Sequence, residues 1–536
     1  MSLLDEMKKE VKSNYERFEE FDDYELSRDD YDECDRNGKR LKYENKYFAK
    51  RACLTARALY AYLTDKKADG GLIRIINSVC DEFSWILPGH KADNPHIDLY
   101  SAITAQVLCE IAYYIRIPDE LHKKIHNIVK IRIKDEYENN VSAWESYNNN
   151  WLPVCAGRIG MVYLYEFPDD FPKVKQRILK SMDRYIESFG NDGACVEGVG
   201  YWRFGFGNYL YFAEMLKRVE GTDILKGEKI RDIAKFQQYM FIKNDMTVSF
   251  SDSSKHRVTF NIGITHFMKS MFGDEIKVPP VCYRDKISNC YDWASAFRSI
   301  YWFCENIADD GEYFSGESTE KYFCDAQWYI NRKKSFALAA KAGNNSELHN
   351  HNDLGSFIIT DGSVQLISDF GAGEYTKDYF TLDKRYGIFC CSSAGHSVPI
   401  IDGRYQSFGK QYKSEVIEAG NNKFYIEMSG AYEASGLTGL RREFDVRDNS
   451  VILCDKFTFT DNSHCVTERL ISMVRPEKEN GAIKLGSMAI NANCETQLSE
   501  KEISGHHGEM VTLYIMDFAL KGKKFKAEFS FGGGHK

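Results

Sequence analysis

From about residue 48 to 310, apolar positions recur at three- and four-residue spacing, the signature of helices with one buried face. Segments 49–63, 71–83, 98–114, 118–135, 159–167, 173–189, 204–219 and 230–241 each carry it. Short polar loops join them, so neighbouring helices pair as antiparallel hairpins. That pattern fits a bundle, a solenoid or a closed ring of helical hairpins, and periodicity does not choose among them. Upstream, residues 1–45 are dense in charge and tyrosine, as in Phe21-Asp-Asp-Tyr-Glu25, and are expected to form a charged arm or outer helix.

Near Asp309-Asp-Gly-Glu312 the period changes. Segments 336–342, 356–360, 364–368, 397–402, 414–419, 423–429, 441–447, 450–459, 468–474 and 511–518 alternate apolar with polar residues between Asp-Gly, Asn-Gly and Gly-rich turns. Short strands so spaced suggest a sandwich. The expected layout is α+β and multidomain: residues 46–315 helical, then 316–536 an antiparallel β-sandwich.

One stretch concentrates chemistry. Leu348-His-Asn-His-Asn-Asp-Leu-Gly-Ser-Phe357 runs on to Asp361-Gly362 and to Leu366-Ile-Ser-Asp-Phe-Gly371, which reads as a two-stranded hairpin. An extended chain would send His349 and His351 out of the same face, because side chains alternate with period two. Asp369, ending the return strand, could come back near them. Two imidazoles and a carboxylate can perform acid–base work or bind a metal. Capping a hairpin is the plainer alternative.

Length and charge bound the rest. A chain of 536 residues is too long for one core, so two or three domains are expected. A net charge of −9 lacks the basic footprint of a general nucleic-acid binder, yet leaves room for an anionic sugar in a local pocket. The abundant Tyr and Phe suit either sugar stacking or a large core. The N-terminal Met-Ser-Leu-Leu-Asp-Glu-Met-Lys-Lys-Glu has no apolar signal region, and no apolar run reaches bilayer length, so no membrane partner is expected. The fifteen cysteines, with Cys390 and Cys391 adjacent, form no regular framework. Reduced thiols in a cytoplasmic protein explain them better than disulfides, although a chain shorn of its signal peptide would look the same.

Three non-periodic inserts interrupt the helical part: Trp85-Ile-Leu-Pro-Gly-His90 with the later Ile97-Asp-Leu99, Tyr147-Asn-Asn-Asn-Trp-Leu-Pro-Val-Cys-Ala-Gly157, and Asp192-Gly-Ala-Cys-Val-Glu-Gly-Val-Gly-Tyr-Trp202. Each mixes aromatic, hydrogen-bonding and glycine residues at helix ends, a composition suited to gripping a sugar. These inserts, in order with the His-Asn-His-Asn-Asp stretch, Asp369–Thr376, Arg385-Tyr386 and His396-Ser-Val-Pro-Ile-Ile-Asp-Gly403, resemble the heparinase II/III family of polysaccharide lyases over roughly residues 80–410. The resemblance implies an incomplete α/α toroid, a β-sandwich and cleavage of uronate-containing glycans by β-elimination. It also implies a divalent metal, of the zinc type, that buttresses the sandwich through His351, Asp369 and His396, with no organic cofactor. Two positions depart from the family pattern: Ser397 follows His396 where Asn is usual, and Ala156-Gly157-Arg158 replaces Asn-Gly-Gly.

The chemistry asks for three roles. The C6 carboxylate must be neutralised so that the C5 proton becomes acidic, a base must take that proton, and an acid must protonate the leaving O4. By similarity to the family, Asn150 (with Asn149) fits the first role, Tyr201 the proton transfers, and His349 either role. Tyr386 and Tyr375 are further positioning or donor candidates. Trp85, His90, Trp151, Glu197 and Trp202 are candidate subsite residues, and Arg158, Arg203, Lys384 and Arg385 could meet carboxylate or sulfate. Each has a plainer reading: a helix N-cap for Asn150, core packing for the aromatics, solvation for the cations, and a hydrogen-bonded cluster for the metal set. The expected partner is an anionic uronate-containing oligo- or polysaccharide. Two rival functions stand beside the lyase: a toroid glycoside hydrolase using Asp192 and Glu197 as its carboxylate pair, and a glycan-binding protein without turnover.

Overall fold

The computed structural model describes residues 2–20, 25–92, 96–253, 256–287, 292–316, 318–506 and 508–532. Residues 21–24 of the charged N-terminal stretch lie outside them. The chain divides into two compact units. The first holds residues 1–189, 202–231 and 260–309; the second holds 190–201, 232–259 and 310–536.

The first unit is helical. Helix Leu3–Arg17 opens with a capping box between Ser2 and Asp5 and packs on Leu41–Leu63, burying Met7 and Val11. Leu99–Tyr114 packs on Trp151–Glu166, which packs in turn on Phe171–Glu187, and Trp293–Tyr301 returns to Leu41–Leu63. These are the hairpins of an incomplete α/α toroid. Leu99–Tyr114 and Trp151–Glu166 are buried over most of their length, so their sequences are apolar nearly all round. Phe171–Glu187 keeps one buried stripe, at Val174, Ile178, Met182 and Tyr185.

Leu41–Leu63 and Val199–Glu220 begin before the expected 49 and 204, and two further segments also differ from the sequence expectation. The helix expected to begin at 159 begins at Trp151, so the insert 151–157 is helical. Pro153 lies in its first turn, where a missing N–H costs no intrahelical bond. The segment 118–135 is carried by Asp119–Val129, a π-helical turn Lys130–Lys134, and Asp135–Asn139.

A polar knot fills the middle of this unit. The buried Glu110 carboxylate accepts from Arg298 (2.8 and 3.0 Å), Trp293 Nε1 (2.7 Å), Tyr165 Oη (2.7 Å) and Gln106 Nε2 (2.6 Å). Arg158 is 1% exposed and holds Asp292 at 2.9 Å, with further bonds to Asn208 and Gln106. The cation expected to meet substrate is therefore a strut of the core.

His266, also buried, accepts the Cys304 N–H through Nδ1 (3.1 Å) and stacks on Phe303. Burial pushes its imidazole down, from 6.5 to about 4. The unfolded chain therefore binds this proton first, and the linked stability, on the order of 3 kcal/mol, is present above 6.5 and lost as pH falls toward 4. The unfolding midpoint in urea is expected to drop between pH 6.5 and 5 more steeply in the wild type than in His266→Gln. Equal slopes would remove His266 from the acid response.

The second unit is built of antiparallel sheets. An eight-stranded sheet runs in the order Glu415–Gly420, Lys423–Glu427, Leu437–Val446, Ser450–Phe459, Lys524–Phe531, Met488–Ala492, Ala482–Leu485, Glu477–Glu479. A five-stranded sheet orders Thr319–Phe323, Trp328–Arg332, Ala337–Lys341, Phe357–Thr360, Gln365–Ile367. A four-stranded sheet orders Thr496–Ser504, Met510–Ala519, Val466–Ser472, Ile400–Ile401. Alternate residues of Leu437–Val446 and Lys524–Phe531 point into a shared core. There Phe357 meets Phe444 (5.0 Å) and Phe529 (5.7 Å), and Tyr329 stacks on Phe424 (5.1 Å). One charged group crosses that core. Arg442 is fully buried and binds Asp455 (2.6 Å), Glu468, and the carbonyls of Gly355 (2.7 Å) and Ser397 (2.8 Å).

Candidate active site and metal centre

The stretch 348–356 is a loop rather than a strand; the hairpin holds only Phe357–Thr360 and Gln365–Ile367. His349 adopts φ +56°, a left-handed conformation that costs a non-glycine residue energy and that clusters at functional sites. The two imidazoles therefore do not share a strand face. A carboxylate that the sequence reading passed over brings them together instead. Asp252, fully buried, accepts from His349 Nδ1 at Oδ2 (2.7 Å) and from His351 Nε2 at Oδ1 (3.0 Å). It also accepts from Tyr379 Oη (2.5 Å) and from Arg385 Nη2 (2.9 and 3.0 Å).

This hub sets the charges around it. Burial by itself would raise the Asp252 carboxyl, but the two imidazoles and the Arg385 guanidinium outweigh it and hold the group well below its ordinary range. For His349, burial pulls down, and the Asp252 hydrogen bond with the charges of Asp252 and Glu197 pulls further up, so the net shift is upward. Nδ1 of His349 is committed to Asp252, and Glu197 Oε2 stands 3.5 Å from its Nε2.

Tyr201 lies in the first turn of helix Val199–Glu220, where the helix dipole favours negative charge. Its ring stacks on His349 at a centroid distance of 4.3 Å, and its hydroxyl is 2.6 Å from that of Tyr375. Burial, then the Asp252 charge, pushes its phenol up, against the Tyr375 hydrogen bond. Tyr201 thus rests as a phenol whose oxygen Tyr375 can support when it ionises. Tyr386 donates to Asn350 Oδ1 (2.8 Å) and stacks on Phe408, and burial pushes it to about 12. The second unit therefore gathers Glu197, Tyr201, His349, Tyr375, Arg385 and Tyr386 around Asp252. Arg385 binds Asp252 and the carbonyls of Tyr379 and Asn350, which fixes it against the hub.

Of the other expected residues, Trp85, His90, Asn149, Asn150, Trp151, Trp202 and Arg203 lie in the first unit, and Asp192 and Lys384 in the second. His90 Nδ1 holds Asp98 (2.9 Å), the N-cap of Leu99–Tyr114, and the Trp151 ring rests 5.0 Å from His90 and 6.1 Å from Tyr147. Asn149 Oδ1 accepts the Trp151 N–H (3.1 Å). Asn150 occupies the N-cap position of that helix, as its plainer reading has it, without a side-chain capping bond. Arg203 pairs with Asp285, and Lys384 with Asp378 (2.8 Å). Trp85 and Trp202 are 2% and 0% exposed, so neither offers a ring face to a sugar; both are core. Asp192, half of the hydrolase pair, accepts three backbone N–H groups, from Ala194 (3.0 Å), Asp325 (2.7 Å) and Ala326 (3.0 Å). Those three bonds lock the turn at 190–194 to the 325–326 backbone.

His351, Asp369 and His396 place ligand atoms within 4.8 Å of one another, all buried. His351 gives its Nε2–H to Asp252, and His396 gives its Nε2–H to the Cys390 carbonyl (2.8 Å). Both rings then present Nδ1 as an open lone pair. Asp369 Oδ1 is taken by the Gly371 N–H (2.9 Å), which leaves Oδ2. Gly371 has φ +71°, and a Cβ there would stand 2.1 Å from the Ser253 carbonyl, so only glycine lets the loop close. His351 Nδ1, His396 Nδ1 and Asp369 Oδ2 are all buried without hydrogen-bond partners. Such convergence of open donors, with each imidazole oriented by its other nitrogen, fits a divalent cation.

Residues 316–493 match the family model described as Heparinase II/III-like, C-terminal. No curated protein matches the chain. Among solved structures, a heparan sulfate lyase HepC mutant from Pedobacter heparinus is similar at TM-score 0.58 and 14% identity, over 100% of this chain and 84% of that one. Heparinase III gives TM-score 0.62 and 11% identity over 92% and 78% of the two chains. A chondroitin AC lyase from Streptomyces coelicolor A3, in complex with chondroitin sulphate, gives 0.51 and 10% over 99% and 83%. Identities this low speak for the fold alone. Residues 316–493 are thus similar to the heparinase II/III-like C-terminal domain, and the chain is similar in fold to these solved lyases.

Proposed function

We propose that this protein is a polysaccharide lyase that cleaves uronate-containing, glycosaminoglycan-like chains by β-elimination. The observation that carries the reading is the stacked Tyr201–His349 pair, with Asp252 behind the imidazole and Tyr375 behind the phenol. Elimination removes the C5 hydrogen, forms the C4=C5 double bond and expels O4. Where the C5 hydrogen faces Tyr201, the phenol first gives its proton to solvent, and the phenolate then takes the C5 proton and delivers it to the departing O4. Where the epimer turns it the other way, His349 Nε2 takes it and Tyr201 protonates O4. A phenol and an imidazole side by side supply both routes. Asn150 keeps its motif-based assignment as the neutral amide for the C6 carboxylate.

The metal set is assigned to a divalent cation of the zinc type. It would be held by His351, Asp369 and His396 and would neutralise charge and fix the loop that carries His349. The protein's own residues perform the proton transfers.

Digestion of a panel of uronate oligosaccharides distinguishes the functions. Elimination yields products whose masses sum to the substrate and whose conjugated double bond absorbs in the near ultraviolet. Products that sum to substrate plus one water, without new absorbance, would replace this reading by hydrolysis.

A further inference from the structure

We propose that Asp353 is a fourth ligand of the cation held by His351, Asp369 and His396, with Lys341 as its built-in counter-charge. The proposal rests on the metal reading above and is independent of the elimination chemistry.

The cluster of open donors has one more member than the three-residue set. Asp353 is fully buried, and its Oδ2 also lacks a hydrogen-bond partner. That oxygen lies 3.8 Å from His396 Nδ1, which in turn lies 3.4 Å from Asp369 Oδ2. Ligand atoms around a tetrahedral ion with bonds of about 2.1 Å stand about 3.4 Å apart. One edge of the set, from His396 Nδ1 to Asp369 Oδ2, already has that length, and Asp353 Oδ2 would have to move inward to make the second. The other oxygen of Asp353 is fixed by Lys341 Nζ at 2.7 Å, a pair whose members are 1% and 0% exposed. A buried carboxylate with one oxygen neutralised and the other open is costly unless a second cation takes the open side.

Two neutral imidazoles, two carboxylates and a divalent ion sum to zero, and the Lys341 ammonium, bound to the Asp353 oxygen that the ion does not use, leaves the site with one positive charge. Two nitrogens and two oxygens form a harder set than thiolate-bearing zinc sites, so the centre should accept cobalt or manganese as well as zinc. The rival fourth ligand is Cys391, whose thiol neighbours His351.

The test uses the full chain stripped of metal by chelation and titrated with Zn(II) against a chromophoric competitor, and with Co(II) followed by its visible d–d bands. Asp353→Asn should weaken Zn(II) binding by about 100-fold and lower the Co(II) band intensity. Because that change leaves Lys341 buried without its partner, the double variant Asp353→Asn, Lys341→Met is measured alongside and should show the same loss. Unchanged affinity and Co(II) spectra in the folded double variant would overturn the proposal. So would a thiolate-to-cobalt charge-transfer band that Cys391→Ser abolishes. A wild-type chain that binds neither ion would overturn the metal reading together with this one.

Discussion

Replacing Tyr201 by Phe is expected to lower kcat on a uronate oligosaccharide about a thousandfold, with KM and the melting temperature nearly unchanged. The substitution removes one oxygen and keeps the ring that stacks on His349 at 4.3 Å. What disappears is the group that exchanges a proton with the substrate, and positioned general acid–base catalysis contributes roughly 10²–10⁴-fold. Among the described residues, the side-chain bond lost is the one between the Tyr201 and Tyr375 hydroxyls, worth about 1 kcal/mol. Initial rates followed by absorbance of the unsaturated product, beside a melting curve, provide the check. A variant within threefold of wild type would take Tyr201 out of the reaction.

The largest loss of stability should come from Arg442→Met. The guanidinium is fully enclosed and satisfies Asp455, Glu468 and two backbone carbonyls. Without it, two carboxylates remain buried side by side, and burial with the Asp455 charge already pushes Glu468 well up. Removing one member of a buried ion cluster typically costs about 3–5 kcal/mol. Denaturant unfolding, read by a probe of the β-sandwich, should show that loss. Replacing all three residues by apolar ones of similar volume should recover most of it. A single-variant loss under about 1 kcal/mol would mean that water reaches the cluster.

How much of this was legible in the sequence depended on whether a signal was local. The strands from 423 to 459 could be read because one face is buried and one is wet, so period two appears directly, as in Leu437–Val446. Thr319–Phe323 and Trp328–Arg332 escaped for opposite reasons. The first is largely open and charged, and the second is buried on both faces, so neither alternates. The loop at 348–356 misled because alternating His and Asn mimic a strand, while the left-handed backbone at His349 leaves no mark in composition. The buried start of helix Trp151–Glu166 was hidden by Pro153, which reads as a breaker unless its place in the first turn is known.

The chemical residues divide the same way. Tyr201, His349 and the metal set carry motifs, and the structure brings Tyr201 together with His349, and His351 with Asp369 and His396. Asp252 sits in Val248-Ser-Phe-Ser-Asp-Ser253, a run with no motif, and only long-range folding brings it to the imidazoles. One acidic residue amid buried serines and a phenylalanine was the signal available. The buried tryptophans show the limit from the other side, since core and sugar platforms draw on the same rings.

The shared carboxylate has a practical consequence. His349 hangs from one oxygen of Asp252 and His351 from the other, 2.7 and 3.0 Å away. If the proposed cation is exchanged for a larger one, the change would not be remote from the proposed catalytic imidazole, because a ring displaced on one oxygen of the carboxylate tugs the ring on the other. Substitutions that retune His349 would likewise alter how the proposed site grips its ion, and engineering of either must screen for both.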